Sequence, residues 1–143
     1  MNNNSVEIYT DGGSRGNPGD AALGYLIKEN SNVLYAYGEP IGTATNNQAE
    51  YAALYAALVK AKQLGYKSIS VFMDSELVVK QMLGLYKVKN QDLLKKYKDI
   101  KSLERYFEEF SITHVKREYN KEADSLVNLA LDSKKIVITD NIS

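Results

Sequence analysis

The change in hydrophobic periodicity near residue 45 constrains the fold of this chain more than any other feature. Three segments before it have the β-branched and apolar composition of strands, at residues 6–10, 21–28 and 33–38. After it, alanines recur with helical spacing from 47 to 64, and another strand pattern follows at 68–73. The short connections predict that the first three strands form an antiparallel meander. The intervening helix predicts that the fourth strand pairs in parallel with the first.

Apolar spacing in the second half of the chain predicts three further helices and a fifth strand. These are a short helix at 75–83, a longer helix whose apolar stripe runs from Leu93 to Phe110, a strand at 112–116 and a last helix at 120–131. The segment at 136–139 has the composition of a strand, and the sequence leaves open whether it docks on the sheet or is loose. Because no linker divides the chain, we expect one domain over residues 1–132 and a C-terminal tail at 133–143.

Composition limits the kinds of site that the chain can hold. It has 143 residues, no cysteine and a single histidine, so any metal must be held by oxygen ligands or by that histidine. The formal net charge is zero, which argues against a bulk electrostatic DNA binder and permits a local basic patch. The first five residues lack the regions of a signal peptide, and no apolar run is long enough to span a bilayer. We therefore expect a cytoplasmic protein.

A glycine-rich stretch follows the first predicted strand. It begins at Asp11 and has glycines at positions 12, 13, 16 and 19. Glycine permits positive φ and carries no side chain, so a large rigid ligand could approach the backbone here. On its own, the Asp11-Gly12 pair is equally compatible with a hairpin turn.

Four acidic residues lie at junctions between predicted elements, and each has a structural explanation. Asp11 ends the first strand and fits a turn, and Asp74 follows the fourth strand and fits a helix N-cap. Glu50 lies three residues after Asn47, which is the spacing of a capping pair. Asp124 lies in the first turn of the last helix, where the helix dipole favours an acid.

Taken together, the four acids indicate a site at one edge of the sheet. In α/β proteins, ligands bind beyond the carboxyl ends of parallel strands, where Asp11 and Asp74 are predicted. Glu50 and Asp124 lie at the starts of helices that can reach the same edge. Converging carboxylates repel one another, and hard divalent cations remove that repulsion. The acids therefore predict a Mg²⁺ site in which two ions about 4 Å apart clamp a phosphodiester for attack by water.

These residues resemble the motifs of the type 1 ribonucleases H. The matching segments are Tyr9-Thr10-Asp11-Gly12-Gly13 with Asn17-Pro18-Gly19, Thr45-Asn46-Asn47-Gln48-Ala49-Glu50, Asp74-Ser75, and Asn120-Lys121-Glu122-Ala123-Asp124. Their order and spacing agree with the family, and the resemblance extends over residues 5–132. It implies an α/β, RNase H-like fold, in which a five-stranded mixed sheet of order 3-2-1-4-5 is flanked by helices.

The same resemblance implies an activity and a cofactor. Asp11, Glu50, Asp74 and Asp124 would bind two Mg²⁺ ions, with Mn²⁺ as a substitute. The enzyme would be an endonuclease that hydrolyses the RNA strand of RNA/DNA hybrids and leaves 5′-phosphate and 3′-hydroxyl ends. The hybrid is thus the partner that the resemblance implies, and we expect a monomer without membrane contact.

The resemblance also implies a substrate-binding set. The family distinguishes RNA from DNA by contacts to 2′-hydroxyl groups in the minor groove. The residues that would face the hybrid by position are Gly12, Gly13, Ser14, Asn17, Asn46 and Gln48. Thr45 fits a contact to a phosphate of the DNA strand, whereas Asn46 is equally compatible with a cap or a turn.

The chain departs from the well-studied bacterial form of the family in two places. Residues 85–90 are too few for the basic helical protrusion of that form, which predicts the compact variety of the family. Only residues 117–119 separate the fifth strand from Asn120, so the long loop that carries a histidine is missing too. The chain's own histidine, His114, is predicted inside the fifth strand, packed against a helix and outside the chemistry. Lys87 and Lys89 are predicted to contribute to hybrid binding.

Two alternative functions stay open at this point. One is a module of the same fold that binds hybrids without cutting them, although such a binder would not need the four acids. The other is a different nuclease of the same broad fold, such as a junction resolvase. The Asp-Gly-Gly and Thr-Asn-Asn-Gln-Ala-Glu segments favour the ribonuclease.

Overall fold

The structure is a computed structural model that describes residues 5–142. Within that range the elements are β1 (Ser5–Gly16), β2 (Gly19–Glu29), β3 (Asn32–Ala44), α1 (Asn46–Gln63), β4 (Ser68–Met73), α2 (Glu76–Met82), α3 (Gln91–Glu104), β5 (Glu109–His114), α4 (Lys121–Ser133) and β6 (Val137–Asp140). A short 3-10 turn at Arg117–Tyr119 leads into α4. No helix of the described residues is long and apolar enough to cross a membrane.

The strands form one mixed sheet in the order β5-β4-β1-β2-β3-β6. β1, β2 and β3 pair as the predicted antiparallel meander, and β4 pairs in parallel with both β1 and β5. The predicted fold class and the order 3-2-1-4-5 are therefore confirmed. The predicted number of strands is wrong by one, because β6 adds an antiparallel sixth strand to the outer side of β3.

Helices cover both faces of the sheet. A side chain added at Gly12 would meet α1, and one added at its neighbour Gly13 would meet Val127 of α4. Successive residues of a strand point to opposite faces, so α1 and α4 lie on opposite sides of β1. The larger core lies on the α1 side, where Ile8, Val71 and Leu54 are fully buried.

The glycine-rich stretch is part of a long hairpin instead of a loop. β1 continues through it to Gly16, which pairs with Gly19 of β2, so the turn lies at Asn17-Pro18. The interpretation of Asp11-Gly12 as a turn is therefore wrong. The parallel pairing of β1 with β4 ends earlier, at the pair Thr10 and Met73. Asp11 is thus the first residue of β1 beyond the parallel part of the sheet, although the strand itself goes on.

The long predicted helix is shorter than its apolar stripe. α3 ends at Glu104, and the stripe continues through Phe107, which is buried in the core, to Phe110, which belongs to β5. The spacing stays close to helical because the chain remains at the same core surface after it leaves the helix. Apolar spacing alone could not reveal where the backbone changes conformation.

The docking of β6 can be tested with a matched pair of substitutions. Val137 packs beside the cluster that joins β2 and α4, whereas Ile138 is 54% exposed. We expect Val137→Thr to lower the free energy of unfolding by about 1 kcal/mol, because it places a hydroxyl group in an apolar contact. Ile138→Thr should change it by less than about 0.5 kcal/mol. Urea unfolding measures both values, and equal effects of the two substitutions would contradict the docked arrangement.

Candidate active site

A polar cavity of about 310 Å³ opens at the edge of the sheet where the parallel pairing of β1 and β4 ends. It is lined by Asp11, Gly12, Gly13, Ser14, Arg15, Asn46, Glu50, Asp74, Arg117, Asp124, Val127, Asn128 and Leu131. These residues come from both sides of the sheet and from the turn before α4. All four acids singled out in the sequence are among them.

The acids converge closely. One carboxylate oxygen from each of Asp11, Glu50 and Asp74 lies within 4.8 Å of the others. Asp124 approaches from α4 and lies close enough to Asp11 for its charge to raise the pKa of that acid. Asp11 lies within β1, and Asp74 directly follows the neighbouring strand β4. The other two acids come from helices on opposite faces, so the convergence depends on the whole fold.

Gly12 sets the position of Glu50. A Cβ atom at Gly12 would lie 2.2 Å from the backbone carbonyl group of Ala49 and 2.5 Å from the backbone nitrogen of Glu50. The absence of a side chain therefore allows α1 to lie directly against β1. In this contact the Gly12 N–H donates a hydrogen bond to Oε1 of Glu50 at 3.1 Å.

The structural explanations for two of the acids are wrong, because other residues perform the capping. Thr45 is the N-cap of α1 and forms a reciprocal capping box with Gln48, so Glu50 is free to face the cavity. Ser75 is the N-cap of α2, and its hydroxyl accepts a hydrogen bond from the Val78 N–H, so Asp74 does not cap the helix. Asp124 does lie in the first turn of α4, and it contributes to the cavity from there.

Burial and mutual repulsion raise the pKa values of the acids. Burial, followed by the charges of Asp74 and Asp124, raises the pKa of Asp11 to about 8. Burial and the charges of Asp11 and Asp74 hold the pKa of Glu50 well above its ordinary value. Burial also raises the pKa of Asp74, against a hydrogen bond from Asn120. Three clustered, partly desolvated carboxylates fit a hard divalent cation, which supplies the missing positive charge.

Two residues of the site were missed as functional residues by sequence reasoning. Asn120 is only 1% exposed, its Nδ2 donates to the carbonyl oxygen of Thr10 at 2.9 Å, and its side chain acts to lower the pKa of Asp74. Arg117 lines the cavity, and its charge lowers the pKa of both Glu50 and Asp74. The signal that could have identified them was their position, since both residues lie in the short segment between the edge strand β5 and the final acid.

The residues of the predicted substrate-binding set divide into two groups. Gly12, Gly13, Ser14 and Asn46 line the cavity. Asn17, Thr45 and Gln48 lie beside it without lining it.

Hydrogen bonds connect the hairpin to the start of α1. The Ser14 N–H donates to Oδ1 of Asn46 at 2.9 Å, and the Asn46 N–H donates to Oδ1 of Asn17 at 3.0 Å. The Ser14 hydroxyl donates to the carbonyl oxygen of Ala44 at 2.7 Å. Through these bonds, residues of the predicted substrate-binding set shape the rim of the cavity. Their contacts with the substrate stay a prediction.

The predicted burial of His114 is wrong. The side chain is exposed although Ile112, two residues earlier on the same face, is buried, because β5 ends at His114 itself. It lies close enough to Asp74 for its charge to lower the pKa of that acid slightly. We therefore expect His114→Ala to change the free energy of unfolding by less than about 0.5 kcal/mol, instead of the 1–2 kcal/mol that a buried ring would imply. Thermal unfolding of the variant beside the parent checks this.

Comparison with known proteins gives consistent matches. The model of a family described as reverse transcriptase-like matches residues 9–130. Ribonuclease HI of Halobacterium salinarum is 46% identical over 128 residues, which cover 89% of this chain and 64% of the relative. A bifunctional protein of Mycobacterium tuberculosis is 46% identical over 130 residues, which cover 90% of this chain and 36% of that protein. The chain thus spans less than two thirds of the length of these curated relatives.

Solved structures match over almost their whole length. The crystal structure of RNase H1 from Halobacterium salinarum has a TM-score of 0.88 at 45% identity, covering 90% of this chain and 98% of that one. The N-terminal RNase H domain of the Mycobacterium tuberculosis protein has a TM-score of 0.87 at 46% identity, covering 90% and 94%. LC11-RNase H1, solved in complex with an RNA/DNA hybrid, has a TM-score of 0.86 at 42% identity, covering 90% and 98%.

Proposed function

The chain belongs to the ribonuclease H1 family, and from that premise we propose that it is a metal-dependent endonuclease that hydrolyses the RNA strand of RNA/DNA hybrids. The observation that carries the proposal is the convergence of Asp11, Glu50, Asp74 and Asp124 on one open cavity. A module that only binds hybrids has no need for a cluster of acids that repel one another. The relative solved with an RNA/DNA hybrid supports the choice of substrate.

The four acids would hold divalent cations, and Mg²⁺ suits their oxygen ligands best. We propose two ions per site, with Mn²⁺ as a substitute. When bound, the ions supply positive charge to the phosphate in the transition state and make water a stronger nucleophile. Hydrolysis at such a site would join the oxygen of water to phosphorus, break the bond from phosphorus to the 3′ oxygen and leave 5′-phosphate and 3′-hydroxyl ends, with a proton passing to the 3′ oxygen.

The protein's own groups hold the acids in place for this work. The Gly12 N–H orients Glu50, and the Asn120 amide anchors β1 next to Asp11 through the carbonyl oxygen of Thr10. Such preorganisation costs nothing at the moment of reaction, because the fold has already fixed these groups.

The rim of the cavity is suited to reading RNA. Ser14 and Asn46 bring a hydroxyl group and a side-chain amide to the cavity, and a 2′-hydroxyl can both donate to and accept from such groups. Selectivity for the RNA strand is therefore proposed to arise at the hairpin and the start of α1. The cysteine-free sequence agrees with a cytoplasmic enzyme, and we propose that it acts as a monomer.

Arg117 should bind the scissile region of the substrate. Arg117 lines the cavity, its positive charge acts on Glu50 and Asp74, and arginine is a good ligand for phosphate. Arg117→Ala is expected to lower kcat/KM for hybrid cleavage about tenfold, the loss of roughly 1.4 kcal/mol of transition-state stabilisation. Arg117→Lys should recover part of the activity, because it keeps the charge. Steady-state kinetics check this, and a loss that is equal in both variants would contradict a charge-based role.

A panel of substrates tests the proposed function. Labelled RNA/DNA hybrid, duplex DNA, a branched DNA junction, duplex RNA and single-stranded RNA are each incubated with Mg²⁺ or with EDTA. The proposal expects cleavage of the hybrid in Mg²⁺ and none in EDTA. Binding of the hybrid without cleavage would favour the binding module, and cleavage of branched DNA alone would favour a resolvase.

A further inference from the structure

A buried hydrogen-bonded chain joins α1 to the segment between α2 and α3, here called the connector (residues 83–90). The hydroxyl of Tyr51, which is fully buried, donates to Oε1 of Gln81. Nε2 of Gln81, which is 5% exposed, donates to the backbone carbonyl oxygen of Lys87 at 3.4 Å. Tyr51 directly follows Glu50, so one turn of α1 contributes to the cavity and to this chain.

Gln81 is unusual for its burial. The buried polar or charged residues within the described range are Thr10, Asp11, Gln81 and Asn120. The other three belong to the acidic cavity or border it, whereas Gln81 lies away from it. A buried amide costs free energy unless it is hydrogen-bonded, and an apolar residue would fill the same volume in the core without that cost. The retained polar pair therefore points to a task other than packing.

The connector that Gln81 holds is short and presents exposed apolar and basic side chains. Leu85 is 67% exposed and Tyr86 is 46% exposed, and the lysines at 87 and 89 are exposed beside them. The first half of the connector is fixed by the end of α2, because the N–H groups of Leu85 and Tyr86 both donate to the carbonyl oxygen of Lys80. The bond from Gln81 holds the chain just after this point, where it turns toward α3.

We propose that Tyr51 and Gln81 are positioning residues for substrate binding, which fix the connector so that Lys87 and Lys89 face the phosphates of the hybrid. The inference rests on the proposed function and deepens it. A mobile connector loses entropy when its lysines engage phosphates, and a preordered one avoids that loss. The net charge of the chain is zero and its connector is short, so few positive charges are available to bind the hybrid. Holding Lys87 and Lys89 in place increases the affinity that these charges provide.

A paired substitution separates positioning from stability. Tyr51→Phe combined with Gln81→Met replaces both polar partners by apolar groups of similar shape, which is close to neutral for stability. The double variant loses the bond to the Lys87 carbonyl group. We expect KM for the hybrid, and Kd for the hybrid measured in EDTA, to rise about fivefold, which is the scale of one net hydrogen bond. The kcat value should stay within about twofold.

Two controls sharpen the measurement. Tyr37→Phe removes a tyrosine hydroxyl that donates to Glu39 on another part of the surface, and it should leave KM and Kd unchanged. Lys87→Ala with Lys89→Ala should raise KM and Kd by itself. If Tyr51 and Gln81 act through these lysines, adding the paired substitution to this background should raise neither value further.

These measurements test the positioning role of Tyr51 and Gln81 independently of the proposed nuclease activity. An unchanged Kd in the paired variant would overturn it, and so would an equal rise in both backgrounds. If the paired variant does not fold, Tyr51→Phe combined with Gln81→Leu is measured in its place, with the same expected rise, because it also leaves no buried polar group without a partner. Because Kd is measured in EDTA, it does not depend on cleavage. A parent protein that binds hybrids without cutting them would overturn the proposed nuclease and leave this result standing.

Discussion

Asp11→Asn is expected to reduce the rate of hybrid cleavage about a thousandfold or more while making the metal-free protein more stable. The cleavage rate falls because the four carboxylates form one cation site. When residues act as a unit in this way, removing one of them costs most of the catalysis that the whole set provides. Glu50→Gln and Asp74→Asn should cause similar losses. Single-turnover cleavage in saturating Mg²⁺ measures all three.

The expected gain in stability of Asp11→Asn over the parent follows from the raised pKa of Asp11. Between its ordinary pKa and about 8, the folded protein binds a proton that the unfolded chain releases. The free energy of unfolding of the metal-free protein therefore falls as the pH rises through this range. Asn stays neutral, so the variant should lack that fall and unfold a few degrees higher at neutral pH, as 1 kcal/mol corresponds to roughly 2–8 °C.

Thermal unfolding in EDTA at several pH values checks the stability of this variant. Asp99→Asn serves as the control for removing a carboxylate, because Asp99 forms only an exposed ion pair with Lys95 on α3. It should leave cleavage within about twofold and stability within about 1 kcal/mol. An Asp11→Asn protein that cleaves at the parent rate would remove Asp11 from the cation site.

Gly12→Ala is expected to damage both the fold and the chemistry. Its Cβ would lie 2.2 Å from the Ala49 carbonyl group, which is backbone and cannot rotate away, so α1 must move as a body. Overpacking of this kind costs about 1–3 kcal/mol or more. The movement also separates the Gly12 N–H from the Glu50 carboxylate, and we expect cleavage to fall about a hundredfold, since displacements near 1 Å cost that much.

Gly13→Ala provides a matched control on the same strand. Its added methyl group would meet only a side-chain carbon of Val127 at 3.4 Å, an ordinary van der Waals distance. The melting temperature of this variant should stay within about 2 °C of the parent, the scale of 0.5 kcal/mol. If Gly12→Ala were as stable as Gly13→Ala, the close contact between α1 and β1 would not be what positions Glu50.

The sequence predicted the layout of the sheet and the identity of the acids because both depend on local spacing. Asp11 and Asp74 follow strands whose composition is plain, and the parallel pairing of those strands brings the two acids to one edge. The bounds of β4 agree with the prediction at both ends, since Gly65 before it and Ser75 after it are clear breaks.

The features that were predicted wrongly depend on tertiary contacts. Phe107 continues the helical spacing of apolar residues after α3 has ended, because the chain still packs against the core beyond the end of the helix. His114 lies two residues after the buried Ile112 on the same strand face, but it is the last residue of an edge strand, and its side chain is exposed. The sixth strand could not be placed from its own four residues, since its pairing depends on the free side of β3.

The start of α1 shows how an acid of the cavity can be mistaken for a helix-capping residue. Asn47 and Glu50 have the spacing of a capping pair, and so do Thr45 and Gln48, two residues earlier. Only the backbone conformation decides between them, because the N-cap residue must be extended, and that residue is Thr45. The choice matters functionally, since the acid that is not used as a cap is available to the cavity.

Strand-specific cleavage of a labelled hybrid tests the central claim most directly. A hybrid carrying different fluorophores on its RNA and DNA strands is incubated with the protein in Mg²⁺, and in a matched reaction with EDTA. The account predicts that the RNA label alone moves to shorter fragments, only in Mg²⁺, and that Asp11→Asn abolishes the change. Cleavage that persists in EDTA, or that cuts the DNA strand equally, would contradict a metal-dependent ribonuclease built on these four acids.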